Sequence, residues 1–392
     1  NTLPGRDMHV WRAQEIVVKS KEYIWVKRNL HSSMRYFILL LTSIIGIISC
    51  NDSHQTTSFV IDGYDAEVNE TITNFNDINI IPLELTEHSL LNGINKILYY
   101  DSYYLIQDYS SVLYRFDANG KFLNRISMKG RGNKEYLRLN SFCVNSLGQV
   151  LLFDSFQDHI LYYTLNGEFI KDIHLPQGSL YEMQDVIMLS NDKVLLQNYI
   201  IGDYNEVYTI VDLNTGEKNV IYESPMKTEG VGQYIGKHTM SDFHEVKCIL
   251  PFDNSIYTID AKNTLDALLT VNTKQKTPRR KLLAAQTNFS IETYVELSKH
   301  GYFQGFTNMF ETSKYYLFTF FESSFFLVDK SNLNGTLFTN DNLNFPIINL
   351  RNSTDSLLIG YLDEQTIMFY PELEEYYSEQ YTNPSIILYN MK

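Results

Sequence analysis

Cysteine is scarce. Three in 392 residues are too few for a disulfide-stapled scaffold or for the thiolates of a structural zinc site. Cys143 and Cys248 sit inside apolar strand-like runs about two repeats apart, which favours two buried thiols over a bridge. Positive charge is also in deficit: 32 Lys and Arg stand against 46 Asp and Glu, a formal net of −14. Such a balance repels nucleic-acid phosphates. The basic stretch from Lys274 to Lys281 reads as a solvated loop. The apolar run Tyr36 to Ile48 falls short of the roughly 20 residues that a membrane-spanning helix needs. No His-Glu-x-x-His, no Gly-x-Ser-x-Gly and no Cys–His pairing of recognisable spacing is present.

What the chain does have is aromatic, alternating sequence, with 29 tyrosines and 14% aromatics. A unit recurs in which a strand leads to an aspartate, a second strand and a glycine turn. It reads Leu105-Ile106-Gln107-Asp108, then Val112 to Asp117 with Asn119-Gly120; it returns as Leu151-Leu152-Phe153-Asp154, then Ile160 to Leu165 with Asn166-Gly167. Asp108 and Asp154 are 46 residues apart, Gly120 and Gly167 are 47 apart, and Gly216 follows 49 later. A period in that range built of strands and turns is the signature of a propeller blade. Asn-Gly suits the hairpin turn because both residues tolerate positive φ. Weaker copies run through Ser255 to Asp260, Tyr315 to Gly335, and Leu357 to Tyr361 with Ile367 to Tyr370. The fold expected is an all-β, six-bladed propeller of four-stranded antiparallel blades over residues 67–392. Its ring would close by pairing Ile78 to Leu85 with Pro384 to Met391, and a short helix or long loop would fall within Thr277 to Glu296.

The N-terminus carries a second signal. Met34-Arg35 followed by the apolar run and Ser49-Cys50 reads as a secretion signal over residues 34–49. Its ending, Ile47-Ile48-Ser49-Cys50, resembles the lipobox of bacterial lipoproteins, in which the cysteine is cleaved free and lipidated. Cys50 would then be a membrane anchor; the alternative is an ordinary signal peptide with a chance cysteine. Residues 1–33 are expected to be a start-site artefact and residues 50–66 a polar tether. Without residues 1–49 the chain keeps 25 basic and 43 acidic residues, a net of −18.

The segment Gly130-Arg131-Gly132-Asn133-Lys134-Glu135-Tyr136 resembles the Gly-x-Gly-Pro-x-Glu-Tyr stretch of the six-bladed β-propeller lipoproteins of Bacteroidetes, relatives of NHL-repeat propellers. Asn133 replaces the usual proline. The ending Asn383 to Leu388 is similar to that family's closing strand. The resemblance implies a fold and an envelope location, periplasmic or surface-exposed, and little about activity. Read from its own residues, the glycine segment is a structural turn between blades that Glu135 and Tyr136 tie to a neighbour. It lacks the following helix and the Lys-Ser/Thr pair of a phosphate loop.

Function is less legible. Asp108, Asp154 and Asp212 recur, and repetition points to structure, since aspartates at strand ends accept hydrogen bonds from turn amides. Alternatively such carboxylates line the central channel, where a ring of them could hold calcium through oxygen ligands. His238, Asp242 and His244 with Glu245 form the densest local set of metal-ligand types, though two histidines six apart on an extended strand are roughly 20 Å distant. The expectation is a monomeric, lipid-anchored envelope propeller that binds a protein or glycan partner without catalysis, without a cofactor and without nucleic acid. The alternative is a propeller enzyme resembling lactonases or glycan lyases, with a divalent ion on channel carboxylates.

Overall fold

The computed structural model describes residues 15–17, 59–65, 75, 77–126, 129–226, 228–232, 236, 238–242, 244–260, 262–272, 275–285, 291–303, 305–319, 324–376 and 383–391. The signal segment 34–49 and Cys50 lie outside the described residues, as does most of 1–33.

Six four-stranded antiparallel blades follow one another around a central channel. Blade 1 comprises Lys96–Tyr100, Tyr103–Gln107, Leu113–Asp117 and Phe122–Arg125. Blade 2 comprises Ser141–Val144, Val150–Asp154, His159–Tyr163 and Phe169–His174. Blade 3 is built from Met183–Ser190, Lys193–Asn198, Glu206–Asp212 and Lys218–Glu223. Blade 4 uses Met240–Ser241, Lys247–Ile249, Ser255–Ile259 and Leu265–Asn272, and blade 5 uses Asn308–Glu311, Tyr315–Thr319, Ser324–Asp329 and Gly335–Thr339. Blade 6 takes Asn352–Ser353, Leu357–Leu362 and Ser385–Asn390, and its outer strand is Asp77–Pro82 from the other end of the chain. Ile386 lies opposite Ile81 and Leu388 opposite Asn79, so the two ends of the fold share one sheet.

Strand alternation dictates where the core sits. Successive side chains point to opposite faces, so Tyr104 and Ile106 pack toward blade 6 while Leu105 packs toward blade 2. Repeating this around the disc places a cluster of buried apolar residues at each of the six blade interfaces. The perimeter is pinned by the glycine turns. Gly120 and Gly167 have φ of +80° and +84°, and a Cβ on them would lie 2.2 Å from the Pro82 carbonyl oxygen and 2.9 Å from that of Arg125. Each turn therefore presses its backbone on the end of the preceding blade's outer strand. That close approach, and the positive φ, explain why the glycine recurs.

Three expectations are corrected. Ile367 to Tyr370 is no strand: Asp363 caps a helix, Glu364–Phe369, by accepting from the Thr366 amide at 2.9 Å. The third strand of blade 6 is instead Ser385–Asn390. Phe59–Asp65, expected within the tether, runs as a strand parallel to Leu265–Asn272 on the outer edge of blade 4, in keeping with the β-prone Phe59-Val60-Ile61. Glu15–Val17 pairs in turn with that strand. Asp212 does not correspond to Asp108. It ends the third strand of its blade and accepts from the Asn214 and Thr215 amides, as Asp117 and Asp260 do in theirs. Asp108 and Asp154 end second strands. Between blades 4 and 5 the insertion holds two helices, Arg280–Ala284 and Ile291–Lys299, with Leu283 and Leu297 buried against Met226 and Phe252.

Candidate functional site

Polar residues on the inner strands of the six blades include Lys96, Ser141, Asp185, Ser241, Glu311 and Ser353. Lys96 Nζ donates to Asp185 Oδ1 at 2.6 Å, to Ser141 Oγ at 3.0 Å and to the Phe142 carbonyl at 2.9 Å. Ser141 also donates to Asp185, at 2.6 Å. On the far side Glu311, only 1% exposed, accepts from Lys330 at 2.7 Å and lies 3.1 Å from Lys247 Nζ. Its second oxygen accepts from Ser241 at 2.9 Å, and its amide donates to Ser353 at 3.1 Å. Burial lowers the Lys330 pKa, against the opposing pull of Glu311. Asp185 is thus bonded to one lysine ammonium group and Glu311 to two.

Asp242 follows the inner strand of blade 4 and is exposed, with Lys96, Asp185 and Glu311 near enough to act on its charge. Desolvation by the surrounding protein raises its pKa; Lys96 opposes this, and Asp185 and Glu311 add to it. A carboxyl raised in the fold holds its proton more readily than in the unfolded chain. Its ionisation therefore costs stability as pH climbs from the ordinary value of 3.8 through the folded value. Asp242→Asn is expected to be more stable than the parent chain at pH 7, with the difference closing as pH falls toward 3.8. Denaturant melts at the two pH values measure it, and a gap independent of pH contradicts the assignment.

At one mouth of the channel the starts of the inner strands meet the ends of the second strands, since Lys96 pairs with Gln107. Here blades 1 to 3 enclose a polar cavity of about 180 Å³ that includes Gln107, Tyr109, Arg138, Asn140, Gln184 and Asp185 in its wall. Gln107 is 1% exposed and donates from Nε2 to the carbonyls of Leu139 at 2.9 Å and Asn140 at 3.2 Å. Those two bonds fix the amide's orientation. They leave Oε1 buried without a partner among the described residues. Asp108, 2% exposed, is fully engaged: Oδ1 accepts from the Val112 amide at 2.8 Å and Oδ2 from the Asn92 amide at 3.2 Å. Burial raises its pKa even so. Asp154 repeats the role, accepting from the Leu137 amide at 2.6 Å and the Phe156 amide at 3.0 Å. One exposed aromatic side chain is at the cavity, and two more stand next to strand ends on this side of the disc. Tyr109 lines the cavity, Phe156 follows Ser155, which donates to Asn140 at 2.7 Å, and Tyr181 lies two residues before the lining Met183.

The glycine segment folds on itself. The Gly132 amide donates to the Glu135 carboxylate at 2.8 Å, and the Gly130 amide donates to the Tyr136 carbonyl at 3.0 Å. Tyr136 is fully buried between blades 1 and 2. Glu135 thus occupies the place an anion would take. Cys143 and Cys248 are free, buried thiols, Cys143 pushed up to about 12 by burial. His238 lines the cavity, its ring tilted 38° to that of Phe310 at 5.4 Å, while His244 sits exposed in a bend at φ +59°. Among the described residues those two and Asp242 do not assemble into a ligand set. The set that does is His159, Asp172 and His174, residues up to 15 apart that no local motif announces.

A six-bladed propeller with a lysine-neutralised channel and a polar cup at one mouth is the class of protein these features define. The chain belongs to the family described as Domain of unknown function (DUF4934), whose profile matches residues 16–388. No curated protein matches the sequence. It is similar in fold to a crystal structure from Bacteroides fragilis NCTC 9343 described as a "putative exported protein": TM-score 0.62, 19% identity, covering 81% of this chain and 95% of that one. A member of the DUF4221 family from Bacteroides vulgatus ATCC 8482 is similar at TM-score 0.51 and 12% identity, over 81% of this chain and 99% of that one. At these identities the likeness concerns the fold alone.

Proposed function

We propose that this is an exported, lipid-anchored propeller of the bacterial envelope that binds a glycan at the channel mouth and does not transform it. The observation that carries the reading is the polar cavity itself, walled by Gln107, Arg138, Asn140, Gln184 and Asp185 beside the exposed Tyr109. Behind that wall Gln107 Oε1 has no partner among the described residues; an orphaned buried acceptor costs about 1–3 kcal/mol, which a ligand hydroxyl would recover once a shift of the wall lets it reach the oxygen. A pyranose ring suits the rest. Its hydroxyls match amides, Arg138 and carboxylate, and its C–H face matches exposed Tyr109. Against catalysis, Asp108 is spent on turn amides and Asp185 on Lys96 and Ser141. Neither is poised as one of the paired carboxylates of sugar-bond cleavage. Calcium in the channel would have to displace lysine ammonium groups from Asp185 and Glu311.

Export is supported by the apolar run with its lipobox-like end at Cys50 and by the description of the Bacteroides fragilis relative. No helix among the described residues is long and apolar enough to cross a membrane. Cys50→Ala is expected to move the chain from the membrane to the soluble fraction, and retention of the variant in the membrane fraction contradicts the anchor. For the binding claim, the full chain is applied to an array of neutral and acidic oligosaccharides, and bound sugars are recovered for mass spectrometry. Capture of an intact oligosaccharide is expected. Turnover abolished by Asp185→Asn would favour the enzyme reading instead.

A further inference from the structure

We propose that His159, Asp172 and His174 form a binding site for one divalent transition-metal ion of the zinc class on the third and outer strands of blade 2. The strands bring the ligands together by register. His159 lies directly opposite His174, and Leu161 opposite Asp172, so all four side chains share one face. His159 Nε2 is 3.0 Å from Asp172 Oδ2, and His174 Nε2 is 3.5 Å from the same atom. Neighbouring ligands on a tetrahedral ion with bonds of 2.0–2.1 Å stand about 3.4 Å apart, so both spacings already approximate a coordination edge.

Burial is graded across the site. The His159 side chain is 5% exposed, Asp172 37% and His174 69%. One ligand is held rigidly in the sheet, one sits at the rim and one is free to turn. The turn is required, because the two imidazole rings stack at 4.0 Å and 7°, and an ion lies in the plane of each ring it binds. His174, at the surface, rotates to meet the ion while His159 stays fixed. Two imidazoles and a carboxylate suit zinc, copper or nickel and not calcium, which takes oxygen. The fourth position opens to solvent. His159 Nδ1 is buried without a partner among the described residues. Binding the ion through Nε2 places the ring's proton on that atom, a cost that weakens the site relative to one with an outer-shell acceptor.

A plain hydrogen-bonded His–Asp–His cluster explains the same coordinates, and metal titration separates the two. The untagged full chain, stripped with chelator, is titrated with zinc sulfate by calorimetry and with cobalt chloride by visible absorption. One saturable ion per chain is expected, with a cobalt d–d band. His174→Ala and Asp172→Asn should each weaken binding about tenfold or more and bleach that band. Both residues lie at the surface or rim, so circular dichroism should be unchanged and should exclude unfolding. No saturable binding, or binding and a cobalt band undiminished in both variants, overturns the site.

Discussion

Replacing Glu311 with alanine is expected to cost about 3–5 kcal/mol of stability, the range for breaking a buried ion pair by removing one partner. Glu311 is 1% exposed and holds Lys247 (6% exposed) and Lys330 (21%). Removing its carboxylate takes this counter-charge away from two enclosed ammonium groups, and Ser241 loses its bond to Glu311. Lys330 still donates to the Thr312 carbonyl and sits over the Tyr316 ring at 4.4 Å, which softens the loss without replacing a charge. Blade 4 (Lys247, Ser241), blade 5 (Glu311, Lys330) and blade 6 (Ser353) meet at this one side chain, so the effect should be on global unfolding. Urea midpoints of the parent and variant chains give the number. A change under about 1 kcal/mol would put Glu311 among surface-type pairs and contradict its role at the channel.

Deleting residues 384–392 is expected to abolish cooperative folding. Ser385–Asn390 is hydrogen-bonded on both sides, to Leu357–Leu362 and to Asp77–Pro82, with six residue pairs on each. Ile386, Ile387 and Tyr389 are fully buried, and the Tyr389 hydroxyl accepts from the Ile348 amide and donates to the Pro346 carbonyl, both at 3.0 Å. Without this strand Asp77–Pro82 has no sheet to join, the cores at two blade interfaces open, and unpaired edges invite aggregation. The deleted chain should lose its near-ultraviolet circular dichroism and its sigmoidal melt. A sharp melt near the parent temperature would mean that the ring closes elsewhere.

The repeat was readable because each of its marks answers a local need. Asp108 and Asp154 bond the amides of the turns that follow them, and Gly120 and Gly167 adopt positive φ against a neighbouring backbone. The pairing of Asp77–Pro82 with Ser385–Asn390 was readable for a similar reason, as alternating strands at either end of a ring that must close. Where two local signals conflict, the sequence misleads. Ile367-Met368-Phe369-Tyr370 is as apolar as a strand, yet the Asp363 cap with Thr366 three residues on starts a helix, leaving Met368 and Phe369 exposed. Asp212 shows the limit of counting residue types, because aspartate serves two different turns in the blade. The site is harder still. Gln107 looks like any strand residue until the blades close and strand its oxygen. His159, Asp172 and His174 become neighbours only through hairpin register, whereas His238, Asp242 and His244 are close in sequence and serve different surroundings.

The measurement that bears most directly on the channel mouth as a glycan site is a calorimetric titration of the full chain with its best array oligosaccharide, repeated with Gln107→Leu and Arg138→Ala. Gln107→Leu removes the orphaned acceptor and should weaken binding about tenfold, in line with 1–3 kcal/mol for one buried hydrogen bond. Arg138→Ala, at the cavity wall, should weaken it as well. Affinity unchanged in both variants, with the fold intact by circular dichroism, would place the binding surface away from the cavity.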